Sequence, residues 1–148
     1  MSVLTDTPQG TRDAGEKLAE KILKAKKEKV VLSLEGDLGS GKTTFLQGLA
    51  KGLKIKEKVL SPTFVIIKSF KIPDPSFNKF FHIDCYRIKD LKEFKDLDLE
   101  RILSDAGNIV AIEWGEKIKR ILPEEKITIK FRIKGKSKRE ITTNKDAL

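Results

Sequence analysis

Residues 30–44 read VVLSLEGDLGSGKTT, and their reading decides the fold. VVLSL (30–34) is a nearly continuous apolar run, the composition of a strand buried on both faces. TTFLQGLAKGL (43–53) reads as a helix, with Gly52 as its C-terminal stop. Between them stand glycines at 36, 39 and 41, and Gly36 to Thr43 matches G-x-x-x-x-G-K-[ST] in full. The chemistry of a phosphate-binding loop asks for these residue types. Glycines let successive backbone N–H groups converge on an anion with no Cβ in the way. The helix that follows aims its free N–H groups and the positive end of its dipole at the same place. Lys42 is then placed to reach β- and γ-phosphates, and the Thr43 hydroxyl to ligate Mg²⁺.

Outward from this loop the chain alternates helices and strands. RDAGEKLAEKILKAKK (12–27) sets Ala14, Leu18, Ile22 and Leu23 on one helical stripe. TFVIIKSF (63–70) and KFFHIDCYRI (79–88) read as strands, and the proline-bearing KIPDPSFN between them as a turn that could make the pair a hairpin. LKEFKDLDLERILSD suggests one or two short helices, NIVAIEW (108–114) a further buried strand, and GEKIKRIL a short helix. ITIKFRI (127–133) and REITT (139–143) alternate around the turn GKSK, a C-terminal hairpin. The predicted fold is α/β, a P-loop NTPase-type three-layer sandwich over one domain, 1–148. Its mixed, partly parallel sheet is expected to be parallel in the centre and antiparallel towards one side.

Composition narrows the function classes. With 39% hydrophobic and 36% charged residues the chain has a globular profile, and no apolar run approaches the ~20 residues of a membrane span. The N-terminal stretch lacks a basic-then-apolar leader pattern, and the single Cys85 excludes an internal disulfide framework, so a cytoplasmic location is expected. The net charge of +9 is compatible with a phosphate-rich partner such as RNA, and equally with lysines interspersed with glutamates on solvated faces. A nucleotide loop also needs carboxylates at the ends of neighbouring strands, to hold the metal or its waters and to position water. Asp84 ends FFHID and Glu113 ends IVAIE, both where open α/β sheets place ligands. Spacing leaves open which ligates Mg²⁺ and which orients water.

Taken in order, GDLGSGKTT, Ser61-Pro62-Thr63-Phe64, His82-Ile83-Asp84-Cys85-Tyr86-Arg87 and Glu113-Trp114-Gly115-Glu116 resemble the bacterial TsaE family. Thr11 with Gly15, and Ile-Leu-Pro-Glu at 121–124, extend the resemblance over nearly the whole chain. It implies a small P-loop ATPase serving the synthesis of threonylcarbamoyl-adenosine next to the tRNA anticodon. ATP and Mg²⁺ would be the cofactors and the TsaD–TsaB pair the partner, with weak activity in isolation. By resemblance Leu38, Gly39, Ser40, Gly41, Lys42, Thr43 and Thr44 would hold the ATP phosphates, and Thr43 with Glu113 the Mg²⁺. Asp84 would be the Walker B-like aspartate implicated in hydrolysis, and Thr63 would lie in a switch-like segment that senses the γ-phosphate. Trp114 would stand beside the metal, while Thr11 and Arg139 would approach the nucleotide. Asp98 departs from the family, which usually has Gly there.

Plainer readings stand beside these. Thr63 follows a proline and equally reads as a turn cap. His82 reads as a packed strand residue rather than a base. Tyr86 and Arg87 could pair structurally, Trp114 could be core, and Cys85 reads as inert packing. Among competing functions, a small-molecule or nucleoside kinase would need an acceptor pocket and an arginine-bearing lid, whereas the six arginines here are scattered. A GTPase would need Asn-Lys-x-Asp, which Asn144-Lys145-Asp146 does not complete.

Overall fold

The computed structural model describes residues 2–26, 29–60 and 66–145. Among the described residues seven strands form one sheet in the order β1-β7-β6-β2-β5-β4-β3. They are β1 (Ser2–Thr5), β2 (Val30–Glu35), β3 (Ile67–Lys71), β4 (Lys79–Asp84), β5 (Ile109–Glu113), β6 (Ile127–Ile133) and β7 (Arg139–Thr143). β2 lies parallel to both β5 and β6, and β4 parallel to β5. Antiparallel pairs close both edges, β3 on β4 at one and β7 between β6 and β1 at the other. The C-terminal hairpin supplies the antiparallel side that the sequence leads one to expect, and the β3–β4 hairpin makes the opposite edge antiparallel as well. Two hairpins with short turns bracket a parallel centre, and the four-residue β1 adds a second antiparallel partner to β7.

Helices α1 (Pro8–Ala25) and α2 (Lys42–Gly52) cover one face of the sheet. Ala14, Leu18 and Ile22 meet Phe45, Leu46 and Leu49 above Leu32, Ile109 and Ile129 in one buried cluster. The other face carries the 3-10 segment Leu91–Leu97, α3 (Leu99–Ser104) and the 3-10 segment Gly115–Ile121, around Val31, Ile83, Val110 and Ile112. The result is the predicted three-layer α/β sandwich. α1 starts earlier than its apolar stripe suggests, because Thr7 caps it by accepting from Gly10 N at 3.0 Å and Pro8 occupies its first turn. β4 is shorter than read. Asp84 accepts a hydrogen bond from Tyr86 N at 2.9 Å and turns the chain there.

α1 and α2 cross closely because glycines line the contact. A Cβ on Gly48 would lie 1.9 Å from the Arg12 carbonyl oxygen, and one on Gly15 2.1 Å from that of Phe45. Gly52 is the last residue of α2, as expected, and packing also requires glycine there: a Cβ would meet Ala19 Cβ at 2.5 Å. Asp98, where the resemblance leads one to expect Gly, has φ 55°, a conformation that glycine adopts without steric cost and aspartate tolerates. Among the described residues no helix is long and apolar enough to cross a membrane.

Candidate functional site

The loop joins the end of β2 to α2 at the carboxyl edge of the parallel strands. Gly41 precedes α2 with φ 103°, which an L-side chain rarely adopts, and no side chain caps the helix. The first backbone N–H groups of α2 therefore face the cleft, an arrangement suited to an anion. Register brings the carboxylates alongside. Leu34 of β2 pairs with Glu113 of β5, and Glu113 pairs with Asp84 of β4, so both acids stand at neighbouring strand ends.

Leu38 to Thr44, Asp84, Tyr86, Glu113 and Trp114 line one cleft of about 230 Å³. Lys42 is buried in its wall, with Nζ donating to the carbonyls of Gly36 at 2.5 Å and Asp37 at 2.9 Å. The same Nζ lies 3.4 Å from buried Ser40 Oγ and 4.3 Å above the Trp114 ring. Burial lowers the Lys42 pKa, and the charges of Glu113, Glu116, Asp84 and Asp37 work against that shift. Leu38, at the tip of the loop, is exposed. A larger and more apolar cavity, about 830 Å³, lies between α3 and the two 3-10 segments and contains none of these loop residues.

Glu113 is buried and both its oxygens are engaged. Oε1 accepts from Thr43 Oγ at 2.8 Å, and Oε2 lies 2.6 Å from His82 Nε2. A hydroxyl and a carboxylate oxygen this close are a hard donor pair suited to Mg²⁺, which is usually held by one or two protein oxygens while keeping waters and taking phosphate oxygens. Among the described residues no group of three or more His, Cys, Asp or Glu could hold a metal.

Trp114, next in the chain, has φ 60°, an uncommon conformation for a bulky residue and one that marks strain beside a site. Its N–H donates to Leu34 O at 3.0 Å, and its ring lies 5.2 Å from that of Tyr86. Lys117 stands over both rings and donates to the Tyr86 carbonyl. Arg139 reaches back from β7, with Nη2 donating to Gly39 O at 3.2 Å and Nη1 to the carbonyls of Gly135 and Lys138. Thr11 borders the loop through its methyl group, which a Cβ on Gly41 would meet at 3.5 Å, while its hydroxyl bonds Thr5 Oγ at 2.9 Å. Thr63 and the Ser61–Phe64 motif lie outside the described residues.

Two neighbours of the cleft escaped the sequence reading. His82 reads as a packed strand residue rather than a base, and its pairing with Glu113 follows from strand register, which local spacing does not display. Glu116 accepts from the Gly36 backbone and feels the Lys42 charge, while its own pKa is raised, chiefly by burial and secondarily by Glu35. The Gly115 beside it was the available signal: a Cβ there would lie 2.1 Å from Ser33 Oγ, so this turn sits hard against β2.

Residues 5–141 match the family model for threonylcarbamoyl adenosine biosynthesis protein TsaE. The tRNA threonylcarbamoyladenosine biosynthesis protein TsaE of Bacillus subtilis is 43% identical over 112 residues, 76% of this chain and 67% of that protein. Its counterpart in Treponema pallidum is 38% identical over 112 residues, 76% of this chain and 79% of that protein. The crystal structure of Bacillus subtilis YdiB superposes with a TM-score of 0.74 at 34% identity, over 97% of this chain and 83% of that one. The chain belongs to the TsaE family, whose members serve threonylcarbamoyl-adenosine biosynthesis.

Proposed function

We propose that this protein binds ATP with Mg²⁺ and hydrolyses it in support of threonylcarbamoyl-adenosine modification of tRNA, acting through the TsaD–TsaB pair. One observation carries the nucleotide reading: Thr43 Oγ and Glu113 Oε1 meet at 2.8 Å in the cleft that holds the Lys42 ammonium. Family membership supports the tRNA-modification role. Thr43 and Glu113 would hold Mg²⁺ there, and the ion would supply charge neutralisation for the phosphates. The chain's residues do the rest. The loop N–H groups and Lys42 bind the phosphates and offset charge developing on the β,γ-bridging oxygen. Asp84, one register pair from Glu113, orients water towards the γ-phosphorus. The new bond forms from that water oxygen as the bond to the bridging oxygen breaks, giving ADP and inorganic phosphate. Direct contact with tRNA through the basic C-terminal hairpin is part of the proposal.

The test is phosphate release from ATP and GTP with Mg²⁺, alone and with TsaD–TsaB, in the native chain and in Lys42→Ala. Slow ATP hydrolysis that the partners stimulate and the variant loses is the expected result. Full retention in Lys42→Ala would sink the loop assignment. Brisk turnover only on adding a nucleoside or sugar acceptor would make the protein a kinase instead.

A further inference from the structure

His82 is fully buried, yet it is an imidazole on a strand whose neighbouring core positions are apolar. It pairs in register with Ala111, and Glu113 lies two residues further along β5 on the same face. Glu113 divides its carboxylate between two neighbours: Oε1 faces Thr43 Oγ at 2.8 Å and Oε2 faces His82 Nε2 at 2.6 Å. A buried carboxylate that offers one oxygen to a cation needs a donor for the other, or it turns to find one. His82 is also the sole histidine of the chain.

The hydrogen bonds assign the tautomer. A carboxylate oxygen accepts, so Nε2 must carry the proton. Among the described residues nothing meets buried His82 Nδ1. A proton there would be an unpaired buried donor, at greater cost than a bare ring nitrogen. The ring therefore donates through Nε2–H, a fixed donor aimed at Glu113 Oε2.

We propose that His82 is a positioning residue that holds Glu113 in the rotamer presenting Oε1 to the cation beside Thr43. This inference rests on the Mg²⁺–nucleotide reading above. It predicts what a residue that merely fills space would not: the position of one N–H must matter. Glutamine carries an amide nitrogen near the place of imidazole Nε2, whereas asparagine carries one near Nδ1, and leucine carries none.

The experiment measures Mn²⁺ affinity by electron paramagnetic resonance in the presence of ADP, and ADP affinity with the divalent ion chelated. His82→Leu and His82→Asn are expected to weaken Mn²⁺ binding by roughly 10–100-fold, the usual effect of losing a hydrogen-bond partner behind a metal ligand. Metal-free ADP binding should stay within about twofold, because phosphate contacts do not pass through Glu113. His82→Gln should recover most of the metal affinity. Nitrogen-15 spectra of the native chain give a readout that needs no stable variant, since its one histidine must appear with Nε2 protonated. Mn²⁺ affinity unchanged in His82→Leu, a glutamine variant as weak as leucine, or an Nδ1–H ring would each overturn the proposal. A native chain that binds Mn²⁺ with ADP while any of these holds overturns this inference alone. A native chain that binds no Mn²⁺ with ADP overturns the nucleotide reading, and this inference with it.

Discussion

Asp84 and Glu113 are register partners at adjacent strand ends, yet their surroundings divide the work between them. Glu113 is buried, with one oxygen on Thr43 and the other on His82. Asp84 is partly open to the cleft and directs one oxygen to the Tyr86 N–H. Replacing Asp84 by Ala should therefore slow hydrolysis more than it weakens ATP binding. Single-turnover kinetics alongside equilibrium binding will separate the two, and equal losses would make Asp84 a ground-state binding group. Cys85, one residue on, is a different kind of buried group. Burial first, and the Asp84 charge second, push its thiol up to about 12 from 9.0. The native thiol should thus resist alkylation at pH 8 and react once the chain is unfolded, as measured by mass spectrometry. The linkage has a definite sign. Between about pH 9 and 12 the unfolded thiol ionises while the native one keeps its proton, so the native state loses stability as pH rises through that window. Cys85→Ala should flatten that alkaline decline relative to the native chain, even though removal of the buried sulfur lowers stability at neutral pH.

At the scale of elements, α1 and α2 are held at a distance that only glycine permits. Gly48→Ala would drive a Cβ to 1.9 Å from a backbone oxygen of α1, and backbone cannot swing aside as a flexible side chain can. Overpacking of this kind costs about 1–3 kcal/mol, partly offset by the ~1 kcal/mol that alanine gains over glycine inside a helix. A melting temperature several degrees lower is expected. Gly10→Ala, whose Cβ would meet nothing closer than 3.4 Å, should leave it unchanged or raise it. Equal melting temperatures for the two variants would show that the helices separate without cost. Such contacts explain where sequence reading stops. The strand–loop–helix unit is local, so VVLSLEGDLGSGKTT discloses it together with Lys42 and Thr43, and the two strand-end carboxylates follow from strand endings. The edge strand β1 is only four residues long and takes its order from β7, 138 or so residues distant along the chain, so its sequence carries no period to read. The helix-contact role of Gly52 and the bond between His82 and Glu113 are likewise tertiary. A glycine looks the same whether it ends a helix or admits another one, and residues 31 apart become neighbours only through parallel register.

For the whole molecule, charge is unevenly placed. Over β6, its turn and β7, the basic residues Lys130, Arg132, Lys134, Lys136, Lys138 and Arg139 face a single acid, Glu140, in a chain whose net charge is +9. Glu140 pairs with Lys134 at 3.3 Å and Arg132 at 3.8 Å, and Arg139 is spent on loop carbonyls, one of them Gly39 of the glycine-rich loop. Lys136 and Lys138 are exposed at the tip, and Lys134 is exposed beside them. A phosphate backbone laid along this hairpin would release counterions, so the proposed tRNA contact must weaken steeply with salt. Affinity for tRNA, measured between 50 and 200 mM salt, should fall on a straight log–log line. Substituting Lys134, Lys136 and Lys138 together by Ala should reduce that slope by about two to three, each phosphate contact contributing roughly 0.7–0.9. The substitutions leave the cleft residues and Arg139 in place, so ATP hydrolysis by the isolated chain should be retained. A native chain with no measurable affinity for tRNA at low salt would remove direct RNA contact and leave the basic hairpin to the protein partners. An unchanged slope in the triple variant would move the RNA contact to another face, because counterion release counts only the charges that touch phosphate.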